Sequence, residues 1–127
     1  MIPEQKQKGE TLMEAKEMAA MAIQALEDKK AEDVKVIDIS DVSTIADYFI
    51  IASGKNRSQI QAMCDNVEET LGRAGTPMKQ KEGYQNANWI LMDYGDIIVH
   101  IFDTENRLFY DLERIWRDGK EMDKSEL

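Results

Sequence analysis

The chain is short of the residues that staple small domains or hold metals. Its 127 residues include one cysteine, Cys64, and one histidine, His100. A lone thiol excludes an internal disulfide, and the two residues cannot supply the thiol and imidazole ligands of an ordinary zinc site. A reducing cytosol fits such usage. Long apolar runs are also missing. None reaches the ~18 residues of a membrane span, and the N-terminus has neither a signal-peptide core nor an Arg-rich transit pattern. Basic residues are in deficit, 16 against 25 acids, for a formal net charge of −9. That charge opposes settling on nucleic-acid phosphates or anionic membranes, so neither is expected as a direct partner.

What is present fits one domain, long enough to bury a core without staples. Residues 1–10 are polar and aperiodic, and the closing DGKEMDKSEL is densely charged. Flexible tails are therefore expected over 1–10 and 119–127, flanking a domain at 11–118. Thr11 with Glu14 forms a capping box, and Leu12, Ala15, Ala19, Ala22 and Leu26 recur at helical spacing, predicting a first helix that ends near Lys30. Val34–Ile39 reads as a strand. Tyr48–Ser53 (YFIIAS) is almost continuously apolar, the pattern of a strand covered on both faces and set mid-sheet. After Gly54, Ser58 caps a second helix with Ile60, Cys64, Val67 and Leu71 on one face, ended by Gly75 and Pro77. Met78–Glu82, Trp89–Asp93 and Ile97–Phe102 supply three strands, and Leu108, Leu112 and Ile115 a third helix. The expected architecture is α/β, a mixed sheet flanked by helices in the order αββαβββα.

The stretch from Trp89 to Trp116 holds both tryptophans, and from Tyr84 to Trp116 six acids (Asp93, Asp96, Asp103, Glu105, Asp111, Glu113) face two bases (Arg107, Arg114). Aromatic anchors ringed by charge of one sign suit an interface with a partner of opposite sign, because aromatics supply desolvation energy and charges steer encounter. If Tyr94-Gly95 is a two-residue turn, Trp89 pairs with His100, Asp93 lies opposite Asp96, and Trp89 shares a sheet face with Leu91, Ile98 and His100. Directly opposed aspartates repel, which calls for a solvated turn or a basic partner. Tyr110, Glu113 and Arg117 share a helix face turned away from Leu108, Leu112 and Ile115.

Enzyme signatures are weaker. Gly54 sits between a strand and a helix, where phosphate loops occur, but ASGKNRS has neither the Walker spacing nor the three-glycine fingerprint. Lys55 and Arg57 make a small basic spot that surface acids can neutralise. Asp41 and Asp47 lack the third carboxylate and phosphate loop of a magnesium site, and turn formation explains them. His100 has no serine or cysteine at a telling spacing, so it reads as a packing or interface residue. Cys64 reads as core. No catalytic residue, metal ligand or cofactor site is predicted.

Taken together, Asp41-Val42-Ser43, Ala46-Asp47-Tyr48-Phe49-Ile50-Ile51-Ala52-Ser53-Gly54, Glu82-Gly83, Trp89-Ile90-Leu91-Met92-Asp93-Tyr94-Gly95-Asp96, Val99-His100-Ile101-Phe102, Arg107, Tyr110-Asp111-Leu112-Glu113 and Trp116 resemble the Iojap-like ribosomal silencing factor family over roughly residues 11 to 118. The resemblance implies a nucleotidyltransferase-like α/β fold and a cytoplasmic translational repressor. Such a repressor docks on a basic protein of the large ribosomal subunit, the fourteenth in the standard naming, and blocks joining of the small subunit when nutrients run short. Carried to matching positions, it implies Trp89 as anchor, Asp93, Asp96 and Glu113 as partners of Lys or Arg, and His100 and Tyr110 as flanking contacts. Two other classes stand beside it. One is a nucleotide binder or nucleotidyltransferase-like enzyme, against which no Asp-x-Asp pair closely follows Ser53-Gly54. The other is an adaptor that buries the Trp89 face in a homodimer.

Overall fold

Strand Tyr48–Gly54 is buried along its whole length, and everything else is arranged around it. The computed structural model describes residues 14–41, 43–105 and 119–127. In chain order the elements are α1 (Ala15–Glu27), β1 (Glu32–Asp38), β2 (Tyr48–Gly54), α2 (Arg57–Arg73), β3 (Gln80–Glu82), β4 (Trp89–Asp93), β5 (Ile97–Asp103) and β6 (Lys120–Met122), followed by a 3-10 turn over Lys124–Glu126. The six strands form one mixed sheet in the order β3-β4-β5-β2-β1-β6. Only the central β2·β5 pair is parallel, and its connection carries α2, β3 and β4. A parallel pair needs such a long crossover, whereas β4 and β5 close through a tight hairpin.

Alternation along the strands divides the core in two. Tyr48, Ile50 and Ala52 of β2, Ile90 and Met92 of β4, and Ile97, Val99 and Ile101 of β5 join the buried stripes of α1 and α2. On α2 that stripe is Ile60, Met63, Cys64, Val67 and Leu71, as the spacing predicts. The other sheet face gathers Ile37, Ile39, Ala46, Phe49, Ile51, Ile98 and Phe102, with Trp89 and Leu91 packed against them.

Several boundaries differ from expectation for local reasons. The Glu14 N–H donates to Glu17 Oε1 (3.2 Å), so the first described turn is closed by the glutamates at 14 and 17, while Thr11 and Leu12 lie outside the described residues. Asn56 caps α2 in place of Ser58, its Oδ1 accepting from the Gln59 N–H at 2.8 Å. Asn is as good a cap as Ser, and the two stand only two residues apart. The expected third helix, with Leu108, Leu112 and Ile115, falls outside the described residues.

Two corrections matter more. The 119–127 segment is not a free tail: Lys120–Met122 pairs antiparallel with β1, Val36 against Met122 and Asp38 against Lys120. Charge density describes side chains, but a ladder is built from backbone groups, and an edge strand leaves its charged side chains in water. Lys35 meets Glu121 at 3.5 Å, and Lys124 reaches Glu27 on α1. The β4–β5 hairpin is also shifted by two residues. Asp93 pairs with Ile98, Leu91 with His100 and Trp89 with Phe102. The Tyr94 N–H donates to the Ile97 carbonyl (3.0 Å), so Gly95-Asp96 is the turn. Gly95 has φ +90°, and a glycine in the first central position is the mark of a type II′ hairpin, whose twist matches the strands. Asp93 and Asp96 are therefore not cross-strand partners.

Gly83 and Gly95 test this geometry. Gly83 has φ +83°, and a Cβ there would stand 2.1 Å from the Trp89 carbonyl oxygen, whereas one on Gly95 would meet only the flexible Lys79 side chain, at 3.1 Å. Gly83→Ala should destabilise by more than ~2 kcal/mol, and Gly95→Ala by about 1 kcal/mol. Urea unfolding checks the ranking, and equal losses would contradict it.

Candidate functional site

Residues 89, 91 and 93 of β4 point to one face of the sheet, as do 98, 100 and 102 of β5. A two-residue shift in register preserves this parity, so the predicted companionship of Trp89, Leu91, Ile98 and His100 holds although the cross-strand partners changed. Trp89 is half-buried. Its indole ring stacks on Phe102 with centroids 5.3 Å apart, and its Nε1–H donates to His100 Nδ1 at 3.0 Å. Phe49, from β2, closes on the far side of the imidazole at 4.6 Å.

His100 is 3% exposed, so it is a buried partner of the Trp89 indole N–H and not the surface contact expected of it. Because Nδ1 accepts from the indole, the neutral ring carries its proton on Nε2, which finds no partner among the described residues. Burial lowers the His100 pKa to about 4, since a charged imidazolium would lose its hydration there. Neutrality is what the Trp89 bond needs. A second proton on Nδ1 would turn the acceptor into a donor facing a donor.

Asp93 lies half-buried at the end of the same face, and its Oδ1 accepts the Gly95 N–H at 2.8 Å, bracing the turn. Asp96 sits in that turn, where its backbone carbonyl accepts from the N–H groups of Asp47 (2.8 Å) and Tyr48 (3.3 Å). The structure thus brings Trp89, Asp93 and His100 onto one face with Asp96 at its rim. Tyr110, Glu113, Arg117 and Trp116 lie outside the described residues. Sequence reasoning missed Phe49 and Phe102 as the walls of the tryptophan's seat. Their alternation with apolar neighbours was visible, but the parallel register that carries Phe49 to His100 was not.

The enzyme-like features are occupied structurally. An open cavity of about 350 Å³ lies past the ends of β2 and β5, lined in part by Lys55, Asn56, Arg57, Asp103 and Glu105. Its two cations face two acids, Lys55 pairs with Glu32 at 3.5 Å, and Asn56 is used as the helix cap. Cys64, Asp65 and Glu68 are the one group among the described residues with three metal-type ligands in reach. Burial pushes the Cys64 thiol up to about 12, Asp65 accepts from the Tyr84 hydroxyl (3.1 Å), and Glu68 from Lys81 (2.9 Å). The thiol is core, as expected, and both carboxylates have partners. No helix among the described residues is long and apolar enough to cross a membrane.

Comparison with known proteins identifies the family. A family profile described as "Ribosomal silencing factor during starvation" matches residues 12–127. The chain belongs to that family of silencing factors. Ribosomal silencing factor RsfS of Halalkalibacterium halodurans is 37% identical over 84% of this chain and 92% of its own. The crystal structure of a Chromobacterium violaceum protein superposes with a TM-score of 0.80 at 35% identity, covering 82% of this chain and 87% of that one. Among more distant relatives, mouse "Mitochondrial assembly of ribosomal large subunit protein 1" is 28% identical over 76% of this chain and 43% of its own length. Like the solved silencing-factor relative, the chain is a mixed α/β domain, so the predicted fold class and family hold.

The buried imidazole makes stability depend on pH. With the folded pKa near 4 and an unfolded value near 6.5, the unfolded chain binds the extra proton first as pH falls. The contribution is complete above about pH 6.5 and is lost progressively towards pH 4, on the order of 3 kcal/mol. His100→Asn, whose Oδ1 can replace Nδ1 as acceptor, should lack this loss. Chemical denaturation of both proteins at pH 7.5 and pH 4 measures the difference, and parallel losses would refute the assignment.

Proposed function

We propose that the protein represses translation by docking on the large ribosomal subunit through a basic protein, the fourteenth in the standard naming, and so sterically preventing the small subunit from joining. Family membership supplies the ribosomal context, and the family's description ties silencing to starvation. The mouse relative's name concerns assembly of the large subunit, which favours that subunit as the place of action. The observation that carries the proposed surface is Trp89, a half-buried indole whose N–H is already held by His100 and whose ring is seated on Phe102. An anchor ordered before binding loses little side-chain entropy on association.

Acidity supplies the steering. Asp93 lies on the anchor's sheet face at the opposite end of β4, Asp96 stands in the turn beyond it and Glu113 follows in sequence, so a Lys- or Arg-rich protein is attracted to this side of the molecule. The net charge of −9 discourages adsorption to ribosomal RNA, which leaves a basic ribosomal protein as the matching partner. Trp89 is the anchor, Asp93, Asp96 and Glu113 are the cation partners, and Tyr110 is a flanking contact. His100 acts by holding Trp89. The protein is a cytoplasmic regulator in this proposal, without catalysis, cofactor or metal.

Co-sedimentation with purified large subunits tests the surface. Trp89→Ala should weaken binding by at least ~2 kcal/mol, and Asp93→Lys should weaken it further at low salt than at high salt. Undiminished pelleting of both variants would refute the surface. Failure of the unaltered protein to pellet would refute the ribosomal partner.

A further inference from the structure

Trp89 is braced differently on the two sides of its backbone. On one side it pairs with Phe102 of β5, but on the other the β3 ladder stops at Glu82 opposite Leu91, two residues short of it. The loop over residues 83–88 takes the place of β3 there. Gly83 lies so close to the Trp89 carbonyl oxygen that its Cα admits no side chain. The loop is tightly wound, with Gly83 (φ +83°) and Ala87 (φ +57°) in the left-handed region and the Ala87 N–H donating to the Gly83 carbonyl at 2.9 Å. A residue with a Cβ persists in that region where its surroundings hold it, and Ala87 is 2% exposed in the helix-side core.

Tyr84 ties this loop to α2. Gln61, Asp65 and Glu68 follow one another at spacings of four and three, so they form a polar stripe along one side of that helix. All three engage the β3–β4 connection. The Gln61 Nε2–H donates to the Tyr84 carbonyl at 2.8 Å, and the Tyr84 hydroxyl donates to Asp65 Oδ2 at 3.1 Å. Glu68 accepts from Lys81 at 2.9 Å, and the same Lys81 Nζ stands 4.6 Å from the centroid of the Tyr84 ring. Backbone, hydroxyl and ring of one residue are gripped together.

We propose that this stripe of α2 is a clamp that positions Trp89: by fixing Tyr84 and the 83–88 loop, it holds the outer flank of the docking anchor from the opposite face of the sheet. Ile60, Met63, Cys64 and Val67 of α2 belong to the helix-side core, whereas Trp89 packs on the other cluster, so the loop is the route around the sheet edge. Gln61, Asp65, Glu68 and Tyr84 are positioning residues. They act through Trp89 and need not touch the partner. Their part in binding rests on the docking surface proposed above, while the clamp itself is read from Trp89 with no partner present.

Solvent exchange of the Trp89 indole N–H, the donor to His100, reports on the anchor directly, and its signal in proton–nitrogen spectra is the one lost in Trp89→Phe. Gln61→Ala and Asn66→Ala form a matched pair. Each removes from α2 one part-buried side-chain bond of 2.8 Å to a backbone carbonyl, that of Tyr84 in the first case and of Ala25 on α1 in the second. A merely structural role would make the two equivalent. Measured against the slowest core amides, Gln61→Ala should speed indole exchange about fivefold, and Asn66→Ala less than about twofold. Tyr84→Ala removes hydroxyl and ring together and should speed it at least about tenfold. Large-subunit co-sedimentation of Tyr84→Ala should weaken on the order of threefold, because only the fraction with Trp89 in place is competent to bind. Equal exchange in the matched pair, or unchanged exchange in Tyr84→Ala, overturns the clamp. Full-strength binding by Tyr84→Ala where Trp89→Ala binds poorly overturns its part in docking. If Trp89→Ala itself binds undiminished, the docking surface has failed and the exchange rates alone decide the clamp. Should Tyr84→Ala not fold, the matched pair decides.

Discussion

The pairing of β2 with β5 is the constraint on which the rest of the structure depends. Both strands are buried on both faces, and their parallel register runs from Tyr48 opposite Ile97 to Gly54 opposite Asp103. Even-numbered residues of β2 and odd-numbered residues of β5 fill the core beneath α1 and α2. The intervening residues build the aromatic ladder of Phe49, His100 and Phe102 on the other side. One backbone arrangement therefore serves two purposes. A slip of a single residue would drive His100 into the helix-side core and lift Val99 out of it, so the seat of Trp89 cannot be loosened without loosening the fold.

Much of this was legible in the chain because it depends on local pattern. The unbroken apolar run of Tyr48–Ser53 specified a central strand, the stripe from Ile60 to Leu71 specified the buried side of α2, and Gly75 and Pro77 marked its end. The hairpin shows where legibility stops. The alternation of Trp89, Leu91 and Asp93 against Ile98, His100 and Phe102 determines faces, and faces survive any even shift. Which residues form the turn is a question of backbone dihedral angles, settled by Gly95 at φ +90°. The β6 strand was hidden for another reason: its partner, β1, lies more than eighty residues away, and its side chains are mostly solvated. Half of the candidate surface was readable as composition, an excess of acids around aromatics. That His100 is buried at the edge of the indole, holding its N–H, while Phe102 stacks on the ring, required the third dimension.

The aspartates that looked like a conflict in sequence are separated by that same hairpin. Asp93 uses one carboxylate oxygen to brace the turn, leaving its other lone pairs turned towards water or a partner. Asp96 contributes its backbone carbonyl to the loop before β2. The local concentration of negative charge is thus compatible with a stable fold. Its effect is felt outwards, at the hairpin end of the sheet, and not as strain within it.

Both margins of the sheet are three-residue strands, β3 with Gln80, Lys81 and Glu82, and β6 with Lys120, Glu121 and Met122. Short margins bearing charges of both signs offer a poor template for another chain's backbone. The sheet is closed to growth sideways. Pairing of another chain's backbone is disfavoured at both margins, which favours contact through the broad faces, where side chains of distinct identity can discriminate.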